Sequence, residues 1–562
     1  MDDGLLGLDD GRNVVVPLGP LERILGPGTL DQIISNSNVT EVLTVFKKRK
    51  NHSPAVFCPI KYGTIAGAAG ADAVRVLMLP HRTARLIAAS LAEIPGAPAL
   101  RIVTRVPIRS VAALDAVAAD AVAARRGGLY EYQAAVLDDI LRRSRLPARN
   151  VYLFMATGQG KTPVAAAFIG ARGQPALFIA PASREIARKG LETLRSWLPG
   201  WRCALFSSKT AASCTADNFD VVVIVVNSAR TQPAEFFQGW GTVVIDEAHE
   251  FHSPENRKVL PLACSGGSCV LGLSASPHER KDGMDFIVDR YLGPPADAAA
   301  AIEAAGLDPG DMNFDGRILV ARYTAPAEYR VPVKVNDINS AVMSIGRIIE
   351  DPDRMKLLGR GIEWILTLHE GAGPAADRRR KFWGLDRGGR HSVAVFAEHR
   401  DFLPKLAGYL VGTCVDRAAF ACPELETPAS AETPANPANG AAGPAVLRGG
   451  AGDAAVDGAA RCRVVLMTYG YGRRGIDLKH LTAGVSATPR RGGSTQILGR
   501  VTRKGSDQGI VRVWLDLVDC GSFLEGQLTD RVAAYGVKGW PVKKISVSHT
   551  SVEAADFGSA FD

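Results

Sequence analysis

Two apolar, strand-like runs each break into a polar loop of chemically committed residues, and this arrangement restricts the fold more than any other feature. Val151–Met155 leads into Ala156-Thr157-Gly158-Gln159-Gly160-Lys161-Thr162, and Val243–Ile245 leads into Asp246-Glu247-Ala248-His249. A glycine loop between a strand and a helix turns successive backbone N–H groups toward one anion. The runs Val151–Met155, Leu177–Ala180, Val221–Val226, Val243–Ile245 and Val270–Leu273 alternate with helical stretches such as Arg184–Trp197. Near-continuous Val/Ile/Leu strands separated by helices predict a parallel sheet covered on both faces.

A second set follows: Val393–Phe396, Val464–Met467, Ala483–Ser486 and Ile510–Leu515, with helices expected over Asp401–Leu410 and Thr495–Thr502. At 562 residues the chain exceeds a single core. The fold class predicted is α/β, with two tandem parallel-sheet domains, 126–305 and 306–545, behind a smaller mixed α/β domain, 1–125. Short strands are expected there at Val42–Phe46 and elsewhere, with helices over Arg82–Ile94 and Ser110–Arg125. Residues 422–460 are rich in Pro, Ala and Gly and read as a flexible surface insertion. The stretch Gly371–Arg380 reads as a loop, and the tail 546–562 as frayed.

Composition narrows the class. A hydrophobic fraction of 46% with 22% charged residues describes a soluble globular protein. No apolar run is long enough for a membrane span, so no membrane partner is expected. Nine cysteines without a C-x-x-C pair suggest reduced thiols in an intracellular compartment rather than a zinc site. A net charge of +8 permits a polyanionic partner. Lys47-Lys48-Arg49-Lys50 reads as a nuclear address, a DNA contact or simply a solvated face.

The loop residues Thr157, Gly158, Gln159, Gly160, Lys161 and Thr162 suit a nucleoside triphosphate. Lysine neutralises its β/γ oxygens, and the Thr162 hydroxyl meets Mg²⁺. Asp246 supplies the metal carboxylate and Glu247 orients water. ATP and Mg²⁺ are the expected cofactors. His249 is either a satisfied histidine or a relay from the nucleotide site. Ser274 and Ser276, in Leu273-Ser274-Ala275-Ser276-Pro277, end another strand beside the acidic tetrad and are candidate coupling residues. Gln133, with Tyr132 for stacking, either reads the N6/N7 edge of adenine or merely opens a helix. Gln496, Arg500 and Arg503 at i, i+4 and i+7 would share one face of a helix and offer guanidinium charge to a transferring phosphoryl group. Gly475 and Asp477 end a tight turn and are expected near the nucleotide. Arg184, Asn227 and Thr468 follow or end strands and are the candidate nucleic-acid contacts.

In this order the motifs resemble those of superfamily-two helicases with DEAH lettering, over residues 126–540. Gln133 matches the adenine-reading motif, Gly158–Thr162 motif I, Asp246–His249 motif II, Ser274–Ser276 motif III, Gly475–Asp477 motif V and Gln496–Arg503 motif VI. More narrowly, Gly272–Gly283, Asp351-Pro352-Asp353-Arg354, Gly521–Gln527, Arg531 and Tyr535 are similar to helicases of large nucleocytoplasmic DNA viruses, including the poxvirus transcript-release helicase. Met155 stands where motif I usually begins with glycine, Ser276 where motif III has threonine, and Arg473-Arg474 where a glutamate often precedes the motif V glycine. The resemblance implies two RecA-like domains and a DNA-dependent ATPase, with DNA favoured over RNA. It also implies transcription or repair machinery as partner, and residence in a virus factory, host cytoplasm, nucleus or virion. Three alternatives stay open: an RNA-stimulated ATPase, a clamp that binds nucleic acid without turnover, and the motor subunit of a restriction-type complex.

Overall fold

The structure, a computed structural model, describes residues 5–9, 14–25, 39–40, 56–57, 61–65, 74–93, 100–103, 128–146, 150–265, 267–275, 286–309, 314–330, 343, 345–413, 420, 443–448, 453–472, 478–490, 494–502, 507 and 509–561. The expected elements Val42–Phe46 and Ser110–Arg125 and the basic run Lys47–Lys50 lie outside them. The chain divides into two compact units, residues 1–156 with 160–309 and residues 310–562 with 157–159.

The first unit opens with β1 (Leu5–Asp9), β2 (Val14–Pro17), the short pair β3 (Val39–Thr40) and β4 (Val56–Phe57), then β5 (Lys61–Ile65), β6 (Val74–Leu79) and β7 (Leu100–Val103). Five of these form a mixed sheet in the order β5-β6-β2-β1-β7, antiparallel except where β1 meets β7. Val14, Val16, Leu77 and Leu79 bury against Leu21 and the helix His81–Ala92. That helix carries Arg85, whose Nη2 donates to the Ser268 carbonyl at 3.2 Å.

The larger sheet of this unit comprises β8 (Val151–Phe154), β9 (Ala176–Ala180), β10 (Cys203–Leu205), β11 (Val221–Val225), β12 (Thr242–Ile245), β13 (Cys269–Ser274) and β14 (Pro295–Asp297). Its order is β10-β11-β9-β12-β13-β8-β14, and every pairing is parallel. All residues of β9, β12 and β13 are buried, because helices cover both faces and alternation would waste one of them. Helix Arg184–Trp197 starts where the Ser183 hydroxyl accepts the Ile186 N–H at 3.4 Å.

The second unit repeats the plan with β15 (Gly316–Thr324), β16 (Val393–Ala397), β17 (Ala445–Leu447), β18 (Val464–Thr468), β19 (Ala483–Ser486), β20 (Arg512–Asp519) and β21 (Val542–Ser548). The order is β17-β18-β16-β19-β20-β15-β21, again all parallel. One face packs Leu319, Val395, Leu466, Val485 and Leu515 under Ile362 and Leu406. The other packs Val320, Phe396, Met467 and Trp514 under Tyr469, Leu498 and Tyr535. These are the two RecA-like sheets expected from the sequence.

Four expectations change. Residues 374–382 are helical (Pro374–Phe382), not a loop. Within the insertion 422–460, the described residues 443–448 and 453–460 contribute β17 to the sheet edge and the helix Asp453–Ala459, and the rest of it lies outside the described residues. The tail does not fray: β21 pairs with β15 from Val542 to Ser548, and Val547, Val552 and Phe557 join the core. The helix expected over Thr495–Thr502 ends at Leu498. No disulfide joins the cysteines among the described residues, and none of their helices is long and apolar enough to cross a membrane.

Candidate active site

Chain order places the chemistry of the first unit along one edge. In the parallel sheet every strand ends on the same side, the side where ligands of such sheets bind. Read across β11, β9, β12, β13 and β8, the carboxyl ends present Asn227, Arg184, Asp246, Ser274 and the phosphate loop. Asn227 sits in the short helix Val226–Ala229, and Arg184 is the first residue of its helix.

The phosphate loop turns through two left-handed glycines, Gly158 at φ 85° and Gly160 at φ 84°, with Thr157 and Gln159 beside Gly158. Both conformations suit glycine. At Gly160 a Cβ would also lie 2.2 Å from Gln133 Nε2 and displace the end of that side chain. Lys161 and Thr162 open the helix Lys161–Arg172, whose amino terminus favours negative charge. Lys161 Nζ donates to the Met155 carbonyl at 3.2 Å. Gln133 Oε1 accepts the Tyr130 N–H at 3.1 Å, so this amide closes a helix start while its nitrogen faces the loop. Tyr132 stacks on Tyr130, with ring centres 5.7 Å apart.

At the end of β12, the Asp246 N–H bonds the Ile179 carbonyl at 2.9 Å and so extends the sheet. Asp246 Oδ1 accepts the Glu247 N–H at 3.0 Å. Desolvation above all, then the charge of Glu247, pushes the Asp246 carboxyl up to about 7. Lys161 opposes that rise, and Glu250 adds to it. Glu247 adopts φ 50°, the only left-handed non-glycine among the described residues. This turn brings His249 back, with Nδ1 at 3.1 Å from Ser274 Oγ and 3.4 Å from Glu247 Oε2. The Met155 N–H bonds the Ser274 carbonyl at 2.9 Å, fastening β8 to β13.

Lys161, Asp246, Glu247, His249, Ser274 and Gln133 are thus gathered within the first unit. Thr162, two left-handed glycines, a cationic helix start and a strained acidic turn make a donor set that fits magnesium triphosphate. Sequence reading missed Glu250 and the Met155 carbonyl. An acidic residue four past Asp246 signals the first, whereas main-chain acceptors carry no sequence signal.

In the second unit Thr468 ends β18, and its hydroxyl accepts the Tyr471 N–H at 3.2 Å, starting the short helix Tyr469–Gly472. Gln496 lies in the helix Ser494–Leu498, but Arg500 does not continue it. The Arg500 N–H bonds Ile497 at 2.9 Å and the Val501 N–H bonds Leu498 at 3.2 Å, a tightened turn at Gly499. The shared helical face expected of Gln496 and Arg500 is therefore replaced by a helix-to-turn junction. Ser276, Gly475, Asp477 and Arg503 lie outside the described residues.

Residues 126–279 match the family model described as type III restriction enzyme, res subunit. An African swine fever virus protein, "Putative ATP-dependent RNA helicase QP509L", is 34% identical over 426 residues, covering 75% of each chain. Among solved structures, yeast Dbp5 bound to RNA and ADP BeF3 aligns over 74% of this chain and 90% of that one, at 13% identity and TM-score 0.46. The DNA-bound type ISP restriction-modification enzyme LlaBIII aligns over 77% and 32%, at 13% identity and TM-score 0.47. With this site on tandem parallel sheets, the chain is an ATP-dependent helicase of superfamily two. Within that class, it belongs to the family of the African swine fever virus QP509L helicases.

Proposed function

We propose that the chain hydrolyses ATP to move along nucleic acid, with DNA favoured over RNA, in viral transcription (transcript release), recombination or repair. One observation carries the ATPase reading: the phosphate loop with Lys161 follows β8 and the Asp246–Glu247 pair ends β12, on the same edge of the sheet with only β13 between them, and the Lys161 charge opposes the rise that burial imposes on the Asp246 carboxyl. In this reading Lys161 holds the β/γ oxygens, the N–H groups of Thr157–Gly160 cradle them, and Glu247 orients the attacking water. Thr162 and Asp246 would hold Mg²⁺, which neutralises phosphoryl charge when bound. Tyr132 and Gln133 take the base. His249 and Ser274 pass the state of Glu247 to β13, with Ser276 as the second coupling hydroxyl. Gln496, Arg500 and Arg503 act on the transferring phosphoryl group, and Gly475 and Asp477 on the nucleotide.

Arg184, Asn227 and Thr468 lie at carboxyl ends of strands, suited to phosphate contacts that carry no sequence preference. The DNA preference draws on the DNA-virus motif resemblance and the restriction-enzyme family match. The name of the African swine fever virus relative supports RNA as the second reading.

Phosphate release measured with single-stranded DNA, duplex DNA and RNA separates them. Stimulation by DNA above RNA is expected, and the reverse order overturns the preference. Lys161→Ala and Glu247→Gln should each abolish turnover with nucleic-acid binding retained. Arg500→Ala should slow it by about 10³-fold. Stimulated hydrolysis surviving in Lys161→Ala would remove the ATPase assignment.

A further inference from the structure

The second unit carries a basic surface that the proposed chemistry does not use. Between Pro374 and Arg390 stand six cations, Arg378, Arg379, Arg380, Lys381, Arg387 and Arg390, against two carboxylates, Asp377 and Asp386. They divide into two groups by what they touch. Arg379 donates to the carbonyls of Leu368 and Glu370, and Arg380 to Gly371 at 2.7 Å and to Asp377. These two satisfy the end of helix Pro352–Thr367 and are structural. Arg378, Lys381, Arg387 and Arg390 are exposed and make no ion pair among the described residues.

The exposed group has an ordered face. Arg378, Lys381 and Phe382 fall at i, i+3 and i+4 of the helix Pro374–Phe382, so they lie side by side. Phe382 is 41% exposed, unusual for a large ring. It is braced from behind, edge-on to Trp383 at 5.0 Å and with the Arg317 guanidinium 5.4 Å from its ring centre. A propped, half-open aromatic between two unpaired cations is a stacking platform inside a positive field. That field extends behind it: burial lowers the His369 pKa, and the charges of Arg463 and Arg390 lower it further.

Topology places this surface away from the ligand edge. Trp383 accepts the Val511 N–H at 2.9 Å just before β20, Arg317 is the second residue of β15, and Arg390 shortly precedes β16. All three mark amino-terminal strand ends, on the opposite side of the sheet from Thr468 and the carboxyl ends.

We propose that Arg378, Lys381, Phe382 and Arg390 bind single-stranded nucleic acid, the cations on phosphates and Phe382 on a base, at a second contact on the amino-terminal edge of this sheet. The inference rests on the helicase reading only for the identity of the polyanion. It is tested on the full chain without nucleotide, by fluorescence anisotropy with labelled oligo(dT) and oligo(U). The variant Arg378→Gln/Lys381→Gln/Arg390→Gln should bind about tenfold or more weakly near 0.1 M salt and lower the log–log salt slope by about 2, roughly 0.7 per lost phosphate contact. Phe382→Ala should weaken binding by about tenfold with the slope unchanged.

Melting temperature and unstimulated ATPase rate should match the parent in both variants. Affinity and slope equal to the parent's in the triple variant overturn the proposal. So does retained oligonucleotide affinity with lost binding of polyglutamate, which would give the surface to an acidic polypeptide. Because binding is read without hydrolysis, a parent chain inactive on ATP that still shows these shifts sinks the motor reading and leaves this contact standing.

Discussion

His391 shows how one buried side chain sets a pH limit on the fold. It is fully buried, its Nδ1 lies 3.1 Å from Thr482 Oγ1, and its Nε2 has no partner among the described residues. Desolvation first, then the charges of Arg512, Arg463 and His369, push its pKa from 6.5 down to about 3. The folded chain therefore refuses a proton that the unfolded chain accepts between those values. Stability from this residue is complete above 6.5 and is lost as pH falls toward 3, about 2 kcal/mol of it by pH 5. Denaturant titrations at pH 7.5 and 5 should show that loss in the parent and a smaller one in His391→Gln. Equal losses in both would assign the acid sensitivity elsewhere. None of this was legible in the sequence, where a histidine before Val393 announces neither its burial nor its guanidinium neighbours. The left-handed turn at Glu247 was hidden for a similar reason, since glutamate carries no preference for positive φ. The lysine, the acidic pair and the loop glycines were readable because their chemistry permits few substitutes.

The helix Pro352–Thr367 is held at its start by one carboxylate with two tasks. Asp351 Oδ1 accepts the N–H groups of Asp353 at 3.0 Å and Arg354 at 3.2 Å, and Oδ2 accepts the Tyr323 hydroxyl at 2.8 Å. Arg354 then reaches across to Asp519 with bonds of 2.7 and 3.1 Å, joining the helix to β20 inside the core. The Asp-Pro-x-Arg motif noted in the sequence is thus a cap followed by a buried fork. Asp351→Ala removes the cap and strands the Tyr323 hydroxyl, so unfolding free energy should fall by about 2–4 kcal/mol. Asp351→Asn should recover most of it. A denaturation midpoint unmoved by Asp351→Ala would contradict this account. Two other helices show where pattern reading fails. Pro374-Ala375-Ala376 followed by Arg and Lys looks like a loop by small and charged composition, yet proline suits a first helical position and the rest are strong helix formers. After Gln496 the periodic pattern continues through Arg503, but Gly499 supports the helix poorly and the chain tightens there.

The two parallel sheets were legible because buried strands advertise themselves as unbroken Val/Ile/Leu runs, whereas edge strands do not. β17 comes from a stretch dominated by alanine and proline, and β21 holds two adjacent lysines and two serines among only three apolar residues, so neither announces a strand. β21 nevertheless completes the second unit. It pairs with β15 over seven residues, from Ile318↔Val542 to Thr324↔Ser548, and the following segment buries Val552 and Phe557 in the core shared with Leu319, Ile362 and Leu515. Phe557 also stacks on Trp364, with centres 5.7 Å apart. Burying Val547, Val552 and Phe557 contributes about 1.5–3 kcal/mol each, a sum comparable with the ~5–15 kcal/mol that stabilises a whole domain. Removing residues 542–562 would also bare the unpaired edge of β15, an apolar template for aggregation. The truncated chain should therefore be insoluble or lack a cooperative melting transition for the second unit, while Phe557→Ala alone should lower that transition and leave it cooperative. Scanning calorimetry of both, beside the full chain, decides the matter: a truncated protein that melts as the parent does would return these residues to the status of a dispensable tail.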